Sequence, residues 1–351
     1  MKKIIALLPC LEGAGGIRVL IDLFQVIQKM GYQISVWSQL DGSFRQEFEK
    51  MGIGVKIQKN MLEETFVLHV KEDEDILVNT LQMFPFIKKI NDMGVKNQVY
   101  WWIHEPPAYF KLYEEQISTD FFINLNGNTK VCAAGPLVQE YLWNKYQYHA
   151  EILNIGVKES YNKKNVASAP SKTRFLLPSF YFDYLKGQDL LIKSILKLPQ
   201  GYLEKAEFYF LGIVQEDMMS LYHVIQKLEA AWGNVHYISL LEHDELLMFM
   251  NEMDCIVAPS REDATNACVV EGLMLSKVCI CSDQMGVSYY LKDGESAFIV
   301  AAGDVEALTN RIMQVINNKD GYEAMKKMGH HIYEMVYSEE VFAEKVKHIF
   351  A

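Results

Sequence analysis

The sequence predicts an α/β protein of two doubly wound, Rossmann-like domains facing a cleft, on three observations. The chain has 351 residues, half of them hydrophobic, more than a single core usually organises. Short apolar runs alternate with amphipathic stretches from end to end, the pattern of a parallel sheet covered on both faces. Near the middle, Lys158–Thr173 is polar, with Ser, Pro and Lys, and reads as a linker.

Taken in order, "KIIALLP" opens with a strand at Lys3–Leu8. "IRVLIDLFQVIQKMG" has apolar residues at helical spacing and stops at Gly31. "QISVWSQ", "SFRQEFEKMG" and "GVKIQK" continue the series, followed by "DILVNT", "QVYWWIH", "KVCAAG" and "AEILNIGV". After the polar tract come "RFLLPSF", the helix "GQDLLIKSILKLP", "EFYFLGI", "NVHYISL" and the helix "HDELLMFMNEM". "CIVAPS", "KVCICSD" and "SAFIV" then precede two helical stretches, "DVEALTNRIMQVINN" and "SEEVFAEKVKHIF". The expected domains are residues 1–160 and 170–334, with a terminal helix at about 335–351.

Several classes are disfavoured. A net charge of −11 argues against bulk electrostatic binding of nucleic acid. No apolar run reaches the ~18 residues of a membrane span. "MKKIIALLPCLEG" starts like a signal peptide, but Glu12 and the glycine cluster follow with no small-residue cleavage site. The six cysteines lie mostly in apolar runs, and Cys279-x-Cys281 is not zinc-ligand spacing. Buried free thiols in a reducing cytoplasm are expected.

Ligands of such sheets sit at the carboxyl ends of the strands. "LEGAGGIR" joins the first strand to the first helix, where glycines let backbone N–H groups approach an anion. It fails as a dinucleotide fingerprint, because Arg18 stands where the third glycine belongs and no acid ends "SVWSQ". His104 and Glu105 in "YWWIHEPP" follow a strand; His104 either reaches a cleft or is satisfied by local backbone. "FDYLKGQD" puts Lys186 before a helix, where it either meets a phosphate or sits in solvent.

In "PSREDATNACVVEG", Asp263 and Glu271 stand eight residues apart around the expected start of a helix near Asn266. Asp263 can cap that helix. Glu271 lies in an apolar stretch, where a charge is costly unless paired. Both its oxygens can accept hydrogen bonds from a sugar's vicinal hydroxyls. The D-x-D spacing at Asp73 and Asp75 reads as the solvated start of a strand, and no metal site is expected.

With these residues in place, "PSREDATNACVVEGLMLSKVCICSDQMGVSYYLKDGESAFIVAAGDVEAL" resembles the donor-binding segment of retaining, family-4-type glycosyltransferases (glycosyl transferases group 1) with the GT-B fold. Their E-x7-E motif stands here as Asp263-x7-Glu271. "GGIRVLIDLFQVIQKMGY" resembles their N-terminal Gly-Gly loop and helix. The resemblance implies an acceptor-side first domain, a nucleotide-sugar-binding second domain, and a final helix packed back on the first. It implies that amides at Gly15 and Gly16 face the donor diphosphate and that His104 faces the donor sugar. Lys186 would neutralise the leaving group. Asp263 with the loop Ala264, Thr265, Asn266 and Ala267 would hold the sugar hydroxyls, and Glu271 the nucleotide ribose. Tyr181 stands where the family often has an arginine, so Arg18, Arg261 or Lys277 substitutes or the diphosphate is held less strongly.

The implied activity is metal-independent, retaining transfer of a hexosyl group from a nucleotide-diphosphate sugar, UDP- or GDP-linked, to a glycan or lipid-linked acceptor. Bacterial cell-surface polysaccharide synthesis is the implied setting, in the cytoplasm with peripheral contact at the inner face of the membrane. No cofactor or nucleic-acid partner is expected, and oligomeric state stays open. Two alternatives remain: a sugar-nucleotide 2-epimerase on the same fold, and a non-catalytic GT-B subunit binding glycan or a partner.

Overall fold

The structure is a computed structural model describing residues 2–12, 15–61, 70–159 and 171–351. Gly13 and Ala14 of the glycine loop and residues 160–170 of the expected linker lie outside the described residues. The chain divides into two compact units, Met1–Gly156 with Glu339–Ala351, and Val157–Ser338.

The first unit begins β1 (Lys2–Cys10), α1 (Gly15–Lys29), β2 (Tyr32–Leu40), α2 (Arg45–Lys50), β3 (Gly54–Ile57) and β4 (Glu74–Asn79). It continues α3 (Phe84–Asp92), β5 (Val99–Ile103), α4 (Pro107–Phe110), α5 (Thr119–Ile123), β6 (Thr129–Ala133), α6 (Pro136–Tyr146) and β7 (Glu151–Ile152). Its seven strands are ordered β3-β2-β1-β4-β5-β6-β7. Every pairing is parallel, for example Leu7 opposite Trp37 on one side and Val78 on the other. All five residues of β5, "VYWWI", are buried, because successive side chains alternate between two covered faces.

The second unit holds β8 (Thr173–Tyr181), α7 (Gln188–Lys197), α8 (Gln200–Leu203), β9 (Ala206–Ile213), α9 (Met219–Trp232), β10 (Val235–Ile238) and α10 (His243–Asn251). Then follow β11 (Cys255–Ala258), α11 (Ala267–Met274), β12 (Val278–Ser282), β13 (Phe298–Val300), α12 (Val305–Asn317) and α13 (Glu323–Val336). Its parallel sheet is ordered β10-β9-β8-β11-β12-β13. Phe175, Phe208, Val257 and Ile280 from four neighbouring strands pack with Leu191 and Ile195 of α7 and Ile312 of α12 in one core. Cys279 and Cys281 are buried in β12 as free thiols.

The last helix, α14 (Glu339–Phe350), returns to the first unit. Phe350 stacks on Tyr100 at a centroid separation of 4.1 Å, and Phe342 lies 6.2 Å from Trp102. Tyr32 Oη donates to Phe350 O at 2.9 Å.

Each sheet has one place where the strand order reverses. In the first unit it lies between β1 and β4, in the second between β8 and β11. Loops leaving such strands in opposite directions open a crevice at their carboxyl ends.

Candidate functional site

In the second unit, Lys186 and Asp263 come from the loops that follow β8 and β11, the two strands at the reversal. Asp183 Oδ1 accepts from Leu185 N at 2.6 Å and sets the turn Tyr184–Lys186. Gly187 follows at φ +75°, and a Cβ there would collide with Pro259 O, so the two loops close together only because this residue is glycine. Arg261 N donates to Leu185 O at 2.7 Å and ties the loops again.

Lys186 Nζ consequently reaches Asp263 Oδ2 at 2.6 Å. Burial works to lower the lysine's pKa, but the facing carboxylate overrides it, so the net shift is upward and the group stays an ammonium. Asp263 does not cap α11 in the way its position suggests. Asn266 is the N-cap, at φ +70°, with its side chain accepting from Val269 N at 3.0 Å. Asp263 instead folds the loop: Oδ1 accepts from Thr265 N at 3.3 Å and Asn266 N at 3.0 Å, and Oδ2 from Asn266 Nδ2 at 2.9 Å. Ala264 and Thr265 are buried beneath it, and Ala267 opens the helix.

Glu271, one turn into α11, is 6% exposed among Val269, Val270, Leu273 and Met274. The sequence leaves its partner open; the structure supplies His243, the first residue of α10, with Nε2 2.9 Å from Oε1.

Neither substitute cation of this unit is spare. Arg261 grips Asp189 through two hydrogen bonds, at 2.8 and 2.9 Å, with its guanidinium 3.9 Å over the Tyr184 ring. Lys277 donates to Asn251 O, and burial pulls its pKa down to about 8. Arg18, in the first unit, lies 3.7 Å from Glu47. The Tyr181 ring packs edge-on against Phe180. Lys186 is likewise paired, with Asp263, in the loop that follows β8.

In the first unit the reversal brings together the end of β4, the start of α1 and the loop after β5. Asn79, fully buried at the end of β4, donates through Nδ2 to Gly16 O at 2.9 Å. A carbonyl only accepts, so the amide's Oδ1 is what faces His104 Nε2 at 3.0 Å. His104 Nε2 must then carry the hydrogen, leaving Nδ1 as the lone-pair nitrogen. Burial lowers its pKa from 6.5 to about 3, so the imidazole is neutral.

Glu105 accepts from Leu81 N at 2.7 Å and His104 N at 3.2 Å; burial pushes its pKa up against these bonds. The pair at 104–105 thus divides: Glu105 pins the loop and His104 is aimed by Asn79. Gly15 and Gly16 open α1, and a Cβ at Gly16 would lie 3.7 Å from His104 Cγ and Thr80 Cγ2. Thr80 is held at φ +80°, unusual for a β-branched residue, and its Oγ1 is buried without a partner.

The sequence analysis missed Asn79, Thr80 and His243. Asn79 and Thr80 end the apolar run "DILVNT" and resemble any strand terminus. His243 opens a helix 28 residues before its partner. Asp73 and Asp75 flank the amino end of β4, opposite the Asn79 end, bonded to Lys3 at 3.1 Å and Tyr32 at 3.3 Å. No cluster of three potential metal ligands occurs among the described residues.

Residues 160–334 match the family described as Glycosyl transferases group 1. An uncharacterized glycosyltransferase of Methanocaldococcus jannaschii is 29% identical over 91 residues, 25% of this chain and 26% of that protein, so the match spans about a quarter of the curated relative's length. Among solved structures, Anabaena HepE, in complex with UDP and glucose, superposes with a TM-score of 0.79 at 14% identity, over 100% of this chain and 99% of that one. Sucrose-phosphate synthase from Thermosynechococcus elongatus does so at 0.77 and 14% identity, over 99% and 98%. The protein has the two-domain GT-B fold of these structures, and its second unit is a member of the glycosyl transferases group 1 family.

Proposed function

We propose that the protein transfers a sugar, with retention, from a UDP- or GDP-sugar to a glycan or lipid-linked acceptor. The observation that carries this reading is the Lys186–Asp263 pair, 2.6 Å apart at the strand-order reversal of the family-matched unit. A lysine that stays charged beside loop amides suits a diphosphate. A carboxylate within the same loop suits sugar hydroxyls. UDP is favoured over GDP because HepE was solved with UDP and glucose.

In the reaction the bond from the anomeric carbon to the phosphate oxygen breaks, and its electron pair leaves with the diphosphate. The acceptor hydroxyl oxygen bonds the anomeric carbon on the same face, and its proton passes to the departing phosphate. Negative charge grows on the diphosphate, where Lys186 stabilises it by position rather than by proton transfer. Asp263 must loosen from Lys186 as the donor binds, so the pair keeps both groups in place beforehand. Glu271 takes the ribose hydroxyls. The reaction requires no divalent metal, since Lys186 supplies the positive charge and the D-x-D carboxylates sit at the opposite strand end. Acceptors of the cell-surface polysaccharide type, met in the cytoplasm at the inner face of the membrane, complete the proposal. No helix among the described residues is long and apolar enough to cross a membrane.

A thermal-shift panel of UDP- and GDP-sugars tests the donor class, because a ligand of the native state raises the melting temperature. With the donor found, Lys186→Ala should lower transfer about a hundred- to a thousand-fold. A variant within a few-fold of wild type would place the phosphate elsewhere. Transfer lost to EDTA and restored by manganese or magnesium would overturn metal independence.

A further inference from the structure

We infer that His243 is a positioning residue for Glu271, holding the carboxylate in the orientation in which it accepts hydrogen bonds from the vicinal hydroxyls of the nucleotide's ribose. The inference rests on the donor-binding role proposed above for Glu271 and adds the residue that makes this role geometrically possible. A carboxylate on a side chain with three torsions is a poor receptor for a rigid diol unless something fixes it. Here one oxygen is fixed, by His243 Nε2 at 2.9 Å from Oε1. An ionised carboxylate only accepts, so Nε2 carries the hydrogen whatever the charge of the ring.

His243 is itself held. It is the first residue of α10, whose start is tied by a capping box in which Glu242 N donates to Glu245 Oε2 at 3.3 Å. Leu246 N donates to Glu242 O at 2.8 Å in the same turn. Glu271 is buried on the other side by the apolar residues of α11, which packs so closely on the sheet that a Cβ at Gly272 would lie 3.0 Å from Cys279 Sγ. The carboxylate is thus clamped from the helix side by packing and from the α10 side by one hydrogen bond. One imidazole N–H leaves most of its roughly four lone-pair sites unused. A buried carboxylate kept for structure alone would be cheaper as an apolar residue of similar volume. The spare acceptor capacity is what a diol supplies hydrogens to.

The alternative is a purely structural pair, in which His243 offsets a buried charge and touches no ligand function. The two differ in what the protein discriminates. Calorimetry with UDP, GDP and their 2′-deoxyribose counterparts is run on the wild type, His243→Ala, His243→Phe and His243→Gln. Alanine removes the ring, phenylalanine keeps its bulk without the donor, and glutamine keeps an N–H. Wild type should prefer the ribose form of its nucleotide by about ten- to a hundred-fold, the range for hydrogen bonds to a charged group. Alanine and phenylalanine should cut that preference to within about three-fold, while affinity for the deoxy form changes little; glutamine should restore part of it. A wild-type preference retained in both His243→Ala and His243→Phe, with native circular dichroism, overturns the inference while the donor reading stands. A wild type that binds the nucleotide without preferring ribose overturns it too, by removing Glu271 from the ribose. A wild type that binds neither nucleotide sinks the donor reading, and this inference with it.

Discussion

At the scale of single residues, Asn79 decides which nitrogen of His104 carries a proton, and the surrounding burial decides that only one does. The pKa of His104 falls from 6.5 in the unfolded chain to about 3 in the fold. Between those values the unfolded chain binds a proton that the native protein does not, so stability is lost as pH drops through that window. His104→Gln should flatten the acid limb of the melting temperature against pH between about 3 and 6.5; parallel curves would contradict the burial of a neutral ring. Next to Asn79, Thr80 is strained, at φ +80° with an unpartnered hydroxyl. Such a conformation costs on the order of 1–3 kcal/mol, against about 0.5–1 kcal/mol for the entropy of a glycine. Thr80→Gly should therefore raise the urea midpoint, and a fall would show that the threonine's packing outweighs its strain. Glu271 was legible in the sequence because a charge inside "ACVVEGLM" is a local anomaly. Asn79 and His243 were not, because each meets its partner 25 and 28 residues away and carries no local pattern.

At the scale of elements, the approach of the loops after β8 and β11 depends on the left-handed residues Gly187 and Asn266. Asn266 combines a cap on α11 with φ +70°. Alanine there loses about 1 kcal/mol of capping and adds about 1–2 kcal/mol for the left-handed backbone, whereas glycine loses only a few tenths of the cap. Urea unfolding should accordingly rank wild type near Asn266→Gly and both well above Asn266→Ala; equal loss in the two variants would mean that the amide's bonds, not the backbone, dominate. The alternation of strand and helix that announced the parallel sheets is borne out: both sheets form in parallel order, and a central strand such as β5 is buried along its whole length. One helix and one strand departed from that signal. In α9 only Ile225 and Leu228 are buried, while Met219, Val224 and Trp232 are exposed, so the apolar residues do not trace one stripe. "AEILNIGV" reads as a full strand but pairs only at Glu151–Ile152, because it forms the sheet's edge and has one neighbour.

At the scale of the whole molecule, the first unit is assembled from two separate stretches of chain, with the entire second unit threaded between them. The joint is tight: a Cβ on Gly156 would lie 2.7 Å from the Phe342 ring. Phe342 is 2% exposed, and truncating such a ring costs about 3–5 kcal/mol. In hydrogen exchange, Phe342→Ala should speed the amides of β5 and leave those of β11 unchanged, because stability is lost locally. Equal acceleration in both strands would mean that the two units open as one. The same threading sets an order of assembly on the ribosome. Domains usually fold as they emerge, amino-terminal first. Here the sheet that is translated first must wait, with Tyr100 and Trp102 lacking the cover of Phe350 and Phe342, while the unit behind it is made in one uninterrupted piece. Birth order and completion order are thereby reversed: the later-born unit is finished first, and the earlier one is sealed only when α14 emerges.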